Sequence, residues 1–112
     1  MSLLLERADF FNSDFDLQYR WYLAEAGEAI AERYLAALHE TLRLLVRQPG
    51  LGRQCRFRHP KLERLRVFHI RPPFDKHLIF YRYDQTTLFA ERVMHGARVL
   101  PRRLLQPPRA ED

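Results

Sequence analysis

A chain of 112 residues with 46% apolar content is long enough for one domain with its own core and too short for two. No apolar run approaches the roughly 20 residues of a membrane-crossing helix, and Met1-Ser2-Leu3-Leu4-Leu5-Glu6-Arg7 lacks the basic region and cleavage site of a secretory signal, so a cytoplasmic protein with no membrane contact is expected. The formal charge of +5 favours an acidic partner, whether nucleic acid or protein segment, and the single cysteine, Cys55, excludes an internal disulfide.

The charge is unevenly spread. Asp9, Asp14, Asp16, Glu25, Glu28 and Glu32 lie early, whereas arginines crowd positions 53–71 and 98–109, so the second half is expected to build the basic surface. Leu3-Leu4-Leu5, followed by Glu6 and Arg7, reads as a short first strand, and Asp9 to Ser13 offer N-cap residues for a helix running to Ala26. On it Phe15, Tyr19, Tyr22 and Ala26 recur at helical spacing, Trp21 and Leu23 widen the stripe, and Gly27 stands where a helix stops. A second helix keeps Ile30, Tyr34, Ala37, Leu38, Thr41, Leu42 and Leu45 on one face from Glu28 until Pro49-Gly50. Hardly any chain joins the two, so they are expected to pack as an antiparallel hairpin with their aromatic stripes in the core.

Leu51 to Lys61 carries Gly, Pro and basic residues without periodicity and reads as a loop. Leu65-Arg66-Val67-Phe68-His69-Ile70 is a second strand, stopped by Pro72-Pro73. The stretch His77 to Arg98 holds two more: Leu78-Ile79-Phe80-Tyr81 and Leu88-Phe89-Ala90, separated by the polar turn Tyr83-Asp84-Gln85-Thr86-Thr87. The last ends in Gly96-Ala97-Arg98, a bend that delivers a guanidinium. Short links make these three strands an antiparallel meander, and the expected class is α+β, one antiparallel sheet packed on an N-terminal strand and helical hairpin. The domain is expected over 1–105, with 106–112 a disordered tail containing proline and basic residues.

In the third strand both alternating sets are apolar, Ile79 with Tyr81 and Leu78 with Phe80. A strand with one wet face alternates cleanly, so both faces should be covered. The hairpin can cover only one. The other is expected to be a groove for a partner, or a site lined by His77, Tyr81, Tyr83 and Arg98.

No glycine loop for phosphates, no His/Cys cluster at metal-ligand spacing and no paired carboxylates occur, so neither metal nor nucleotide cofactor is expected. His77 and His95 are candidate acid–base groups, because an unperturbed imidazole titrates near neutral pH, although lone histidines in strands are more often structural.

The pattern His77-Leu78-Ile79-Phe80-Tyr81-Arg82, followed by Arg92-Val93-Met94-His95-Gly96-Ala97-Arg98, resembles the small toxins of bacterial type II toxin–antitoxin systems, in the ParE branch of the RelE/ParE superfamily, also known as plasmid stabilisation proteins. The resemblance implies a β-α-α-β-β-β fold, poisoning of DNA gyrase by binding, and neutralisation by a cognate antitoxin through an acidic, amphipathic segment. RelE-type relatives instead cut mRNA in the ribosome, using basic residues on the second and third strands, an arginine ending the fourth and often a downstream aromatic residue or histidine. Arg98 matches that arginine. The other positions depart: Val67 and His69 stand where lysines would, His77 replaces the strand-three arginine, and Leu104 is nearest the tyrosine position. An apolar side chain cannot move a proton, so a binding toxin is the leading expectation. Arg98, Arg92, Arg82, Arg102, Arg103 and Tyr81 are its candidate target-binding residues, and Ile79, Tyr81, Tyr83 and Val67 its candidate antitoxin-binding ones. The alternative is a metal-independent, ribosome-dependent endoribonuclease working through Arg98, His77, His95 and His69. A third possibility is a nucleic-acid-binding module whose Tyr81 and Tyr83 rings stack on bases.

Overall fold

The computed structural model describes residues 2–96 and 101–109. Strand β1 (Leu4–Arg7) leads into helices α1 (Asp9–Ala26) and α2 (Glu28–Arg47). They are followed by β2 (Arg53–Gln54), β3 (Arg66–His69), β4 (His77–Tyr83), β5 (Thr87–His95) and a short C-terminal helix α3 (Pro101–Leu105). The sheet order is β1-β5-β4-β3-β2.

The helical hairpin forms for the reason the pattern gives. Gly27 alone links the helices, at φ 94°, a conformation that side chains with a Cβ avoid, and its N–H closes α1 on the Tyr22 carbonyl. α2 buries Tyr34, Ala37, Leu38, Thr41, Leu42 and Leu45, as its spacing predicts, together with Ala31. α1 differs from expectation. Its inward stripe is Phe11, Asp14, Phe15 and Tyr22, while Trp21 and Leu23 turn to solvent at 53% and 41% exposure. A helix already lying on both a partner helix and a sheet can bury about one face, and these two residues fall outside it.

The meander β3-β4-β5 is antiparallel, as expected. Two strands extend it: β1 joins parallel to β5, and two residues of the segment expected to be loop pair with β3 as β2. In β4, His77, Ile79 and Tyr81 face the helices, while Leu78 and Phe80 face the opposite side. β5 keeps step only through a bulge: Phe80 pairs with Arg92 and Tyr81 with Ala90, so Glu91 is extra. The phase therefore shifts, and Ala90 and Val93 both reach the helix-side core while Met94 joins the other face.

Both sheet faces are covered, but no partner is needed for the second. Leu62, Leu65, Val67, Phe80, Met94 and Leu104 form a second core, with Cys55, Phe57, Leu78 and Leu105 against it. The segment after β2 and α3 thus lie over the face expected to be an open groove. Gln106, at the start of the tail expected to be disordered, lends its carbonyl to Arg92, and residues 110–112 lie outside the described ones.

Candidate functional site

Arg98, with Ala97, lies outside the described residues. The bend that leads to it begins at Gly96, whose φ of 135° suits glycine and whose N–H donates to the Lys76 carbonyl at 3.1 Å.

The other arginines separate by burial. Arg92 is 3% exposed and clasps Asp14 with two hydrogen bonds of 2.8 Å, from Nε and Nη2. Its Nη1 donates to the carbonyls of Arg103, Leu104 and Gln106, at 3.0, 3.0 and 2.6 Å. Asp14 also accepts the Val93 N–H at 3.1 Å, satisfying the β5 edge beyond the end of β1. Arg92 is therefore the clasp joining α1, β5 and α3, and not part of an exposed target-binding surface. Arg82 is half-buried and donates to the carbonyls of Glu63 and Lys61, at 3.1 and 2.9 Å, fastening the segment before β3. Arg102 is exposed, and Arg103 is half-buried with a 3.1 Å bond to Gln106 Oε1.

Residues named for antitoxin contact are mostly interior. Ile79 and Tyr81 are at 0% exposure in the helix-side core and Val67 is in the second core. The Tyr81 hydroxyl donates to the Pro49 carbonyl at 2.6 Å and accepts the Gly52 N–H at 2.9 Å, which closes the turn after α2. Burial raises its pKa. Tyr83 alone of the set is exposed, with the Arg66 guanidinium 5.7 Å from its ring centre.

The three histidines do not share one site. His77 pairs with His95 across β4 and β5, and their rings touch at 4.7 Å. His69 sits opposite Leu78, on the other face of the sheet, with Nδ1 2.7 Å from the Asp75 carbonyl. His77 is buried, bonded through Nε2 to the Tyr22 hydroxyl at 2.8 Å and packed on Tyr34. Burial, and secondarily His95, lower its pKa to about 4, so near neutrality it is an uncharged core group.

Exposed charge gathers instead on the segments that roof the second core. Arg53, Arg56, Arg58, Lys61 and Arg64 precede β3, and Arg102 lies on α3. Cys55, Phe57, Leu62, Leu104 and Leu105 root both segments in the same cluster. The resulting basic canopy, anticipated from the crowding of arginines, is suited to holding an anionic surface by charge. Sequence reasoning missed the buried pairing of Asp14 with Arg92. The available signal was a carboxylate three residues from Phe11 and next to Phe15, on an apolar helix stripe, which demands a buried cationic partner.

A family model described as the ParE toxin of type II toxin-antitoxin system, parDE, matches residues 6–100. Among solved structures, a chain of the chromosomal ParDE TA system from P. aeruginosa superposes with a TM-score of 0.67 at 15% identity, covering 84% of this chain and 96% of that one, a likeness of fold. No match is found among curated proteins. Among the described residues, no helix is long and apolar enough to cross a membrane.

Proposed function

Because the chain belongs to the ParE toxin family of type II toxin–antitoxin systems, we propose that it acts in the cytoplasm by binding DNA gyrase and trapping it on cleaved DNA, and that a cognate acidic antitoxin silences it. The supporting observation is what occupies the positions where the ribonuclease branch carries its catalytic groups. Val67 and Leu104 are packed together in the second core, at 6% and 5% exposure, and cannot transfer protons. Phosphodiester cleavage without a metal needs a base, a cation and an acid around one phosphate. Here the two faces of the sheet separate His69 from His77 and His95, and His77 is closed inside the core. A toxin lacking such a constellation works by occupying its target. The basic canopy is the surface offered for that, in keeping with a target that holds DNA.

The test is purified gyrase with plasmid DNA, scoring linear DNA covalently held by the enzyme. The wild-type chain should make it accumulate, and Arg98→Ala and the paired charge reversal Arg58→Glu with Arg102→Glu should each suppress it. Absence of trapped DNA with supercoiling unaffected would overturn the reading and direct the next assay to ribosome-dependent mRNA cleavage.

A further inference from the structure

Among the described residues, Arg64 is the one residue other than glycine with a positive φ, 59°, in the left-handed region where a Cβ crowds the backbone. Glycine or asparagine takes that conformation at less cost. The arginine gives the fold nothing in return. It is exposed, and among the described residues its side chain has no hydrogen bond, ion pair or ring contact.

The turn that carries it is held from every side. Leu62 and Leu65, at 4% and 1% exposure, fix its two ends in the second core. On the leading side, His59 caps the single helical turn Pro60–Leu62 through Nδ1, which accepts the Lys61 N–H at 3.1 Å. On the trailing side, the Leu65 carbonyl accepts the Cys55 N–H at 2.8 Å. From β4, Arg82 donates to the carbonyls of Lys61 and Glu63, at 2.9 and 3.1 Å, and so grips the backbone immediately before Arg64. That grip is costly to Arg82 itself, because its Nε is buried without a hydrogen-bond partner, and the Glu91 carboxylate stands 3.7 Å off. A merely solvated arginine needs none of this. Arg53, Arg56 and Arg58 already supply diffuse positive charge on the same segment. Strain kept at an exposed, unpaired cation marks a position where the direction in which the side chain leaves the backbone matters.

We propose that Arg64 is the specificity-determining contact of the canopy, a guanidinium aimed at one carboxylate on the target protein, and that Arg82 is the residue that positions it. This role rests on the reading of the chain as a gyrase-binding toxin. The aimed backbone selects a carboxylate over the phosphates of the DNA that gyrase holds. A duplex offers phosphates at short, regular intervals, which loosely held side chains meet equally well. A lone carboxylate takes both N–H bonds of the planar fork only when the fork is presented to it. Arg82, expected from the sequence to touch the target, then acts through Arg64.

The experiment measures binding of the full chain to purified gyrase without DNA, by calorimetry, beside the trapping of linear DNA when plasmid is present. Arg64→Gly relieves the strain and should melt no lower than wild type, yet bind gyrase about tenfold or more weakly and trap correspondingly less DNA. Arg64→Lys keeps the charge without the fork and should restore little of the affinity. Arg82→Met should weaken binding in the wild-type background and add nothing to Arg64→Gly, the non-additivity of a residue that acts through another. Equal binding by wild type and Arg64→Gly overturns the inference and leaves the gyrase reading standing. An Arg64→Gly chain that melts well below wild type overturns it too, by making Arg64 a structural residue. Loss of affinity only when DNA is present, or full rescue by Arg64→Lys, overturns it by assigning the cation to phosphate. Additive losses from the two variants overturn the positioning role of Arg82. A wild-type chain that neither binds nor poisons gyrase overturns the reading and this inference together.

Discussion

Asp14 and Arg92 show how one buried pair can organise three parts of a chain. The side chains are 7% and 3% exposed, and every oxygen and nitrogen of the clasp has a use: β5, α1 and three carbonyls around α3. Removing one partner strands a charge in the core. Arg92→Met should therefore cost about 3–5 kcal/mol in denaturant unfolding, whereas Asp14→Leu combined with Arg92→Met should recover much of that loss. A double variant no more stable than the single one would show that the pair is not acting as a unit. His77 carries a prediction of a different kind. Its pKa falls from 6.5 to about 4 on folding, so between those values the unfolded chain takes up a proton that the folded one refuses. Stability is complete above the unfolded value and is lost as pH drops through this window, by about 3 kcal/mol in total. Comparing urea midpoints at several pH values, His77→Phe should flatten that part of the profile relative to wild type. A wild-type slope unchanged by the substitution would mean that other groups carry it.

Among the elements, α2 was fully legible because its apolar residues keep a single helical phase from Ile30 to Leu45. β4 was legible as a strand, but which face of it met solvent was not, since both alternating sets are apolar and only the tertiary structure says what covers each. That is why Tyr81 read as a surface group and proves to be a closing bolt between Pro49 and Gly52. The bulge at Glu91 hid Arg92 in the same way, because a one-residue insertion moves every later side chain of β5 to the other face. β2 and α3 are two and five residues long and too short to show periodicity. They exist through contacts distant in sequence, Arg53 with Val67 and Leu104 with the second core. Gly52 offers a direct check on the turn. Its φ is ordinary, yet a Cβ there would stand 2.4 Å from the Tyr81 hydroxyl oxygen. Gly52→Ala should consequently destabilise by about 1–3 kcal/mol through loss of the hydroxyl's buried bonds, and Tyr81→Phe by a similar amount. Thermal unfolding showing Gly52→Ala equal to wild type would mean the turn moves freely and the bolt is not tight.

Taken as a whole molecule, the chain is a two-faced sheet that closes one face with a hairpin and the other with its own late segments, leaving β1 as the long open edge. The closure of the second face depends on α3, a helix too short to persist alone, held by Leu104 below and by Arg92 on its last carbonyls. Ending the chain before Pro101 should uncover Leu62, Leu65, Val67, Phe80 and Met94 together, with a loss of about 2–5 kcal/mol from the missing Leu104 contacts alone. A hydrophobic dye should then bind, and the melting temperature should fall. Under the proposed function, the gyrase assay repeated with this truncated chain separates two roles for the same segment. If poisoning is reduced more than the loss of folded protein explains, the canopy is a contact surface as well as a roof; if poisoning tracks folded protein alone, the target is met by the arginines before β3. A truncated chain that binds no dye and melts like the full one would show that the segment before β3 seals the second core by itself, and the clasp at Arg92 would then serve α1 and β5 only.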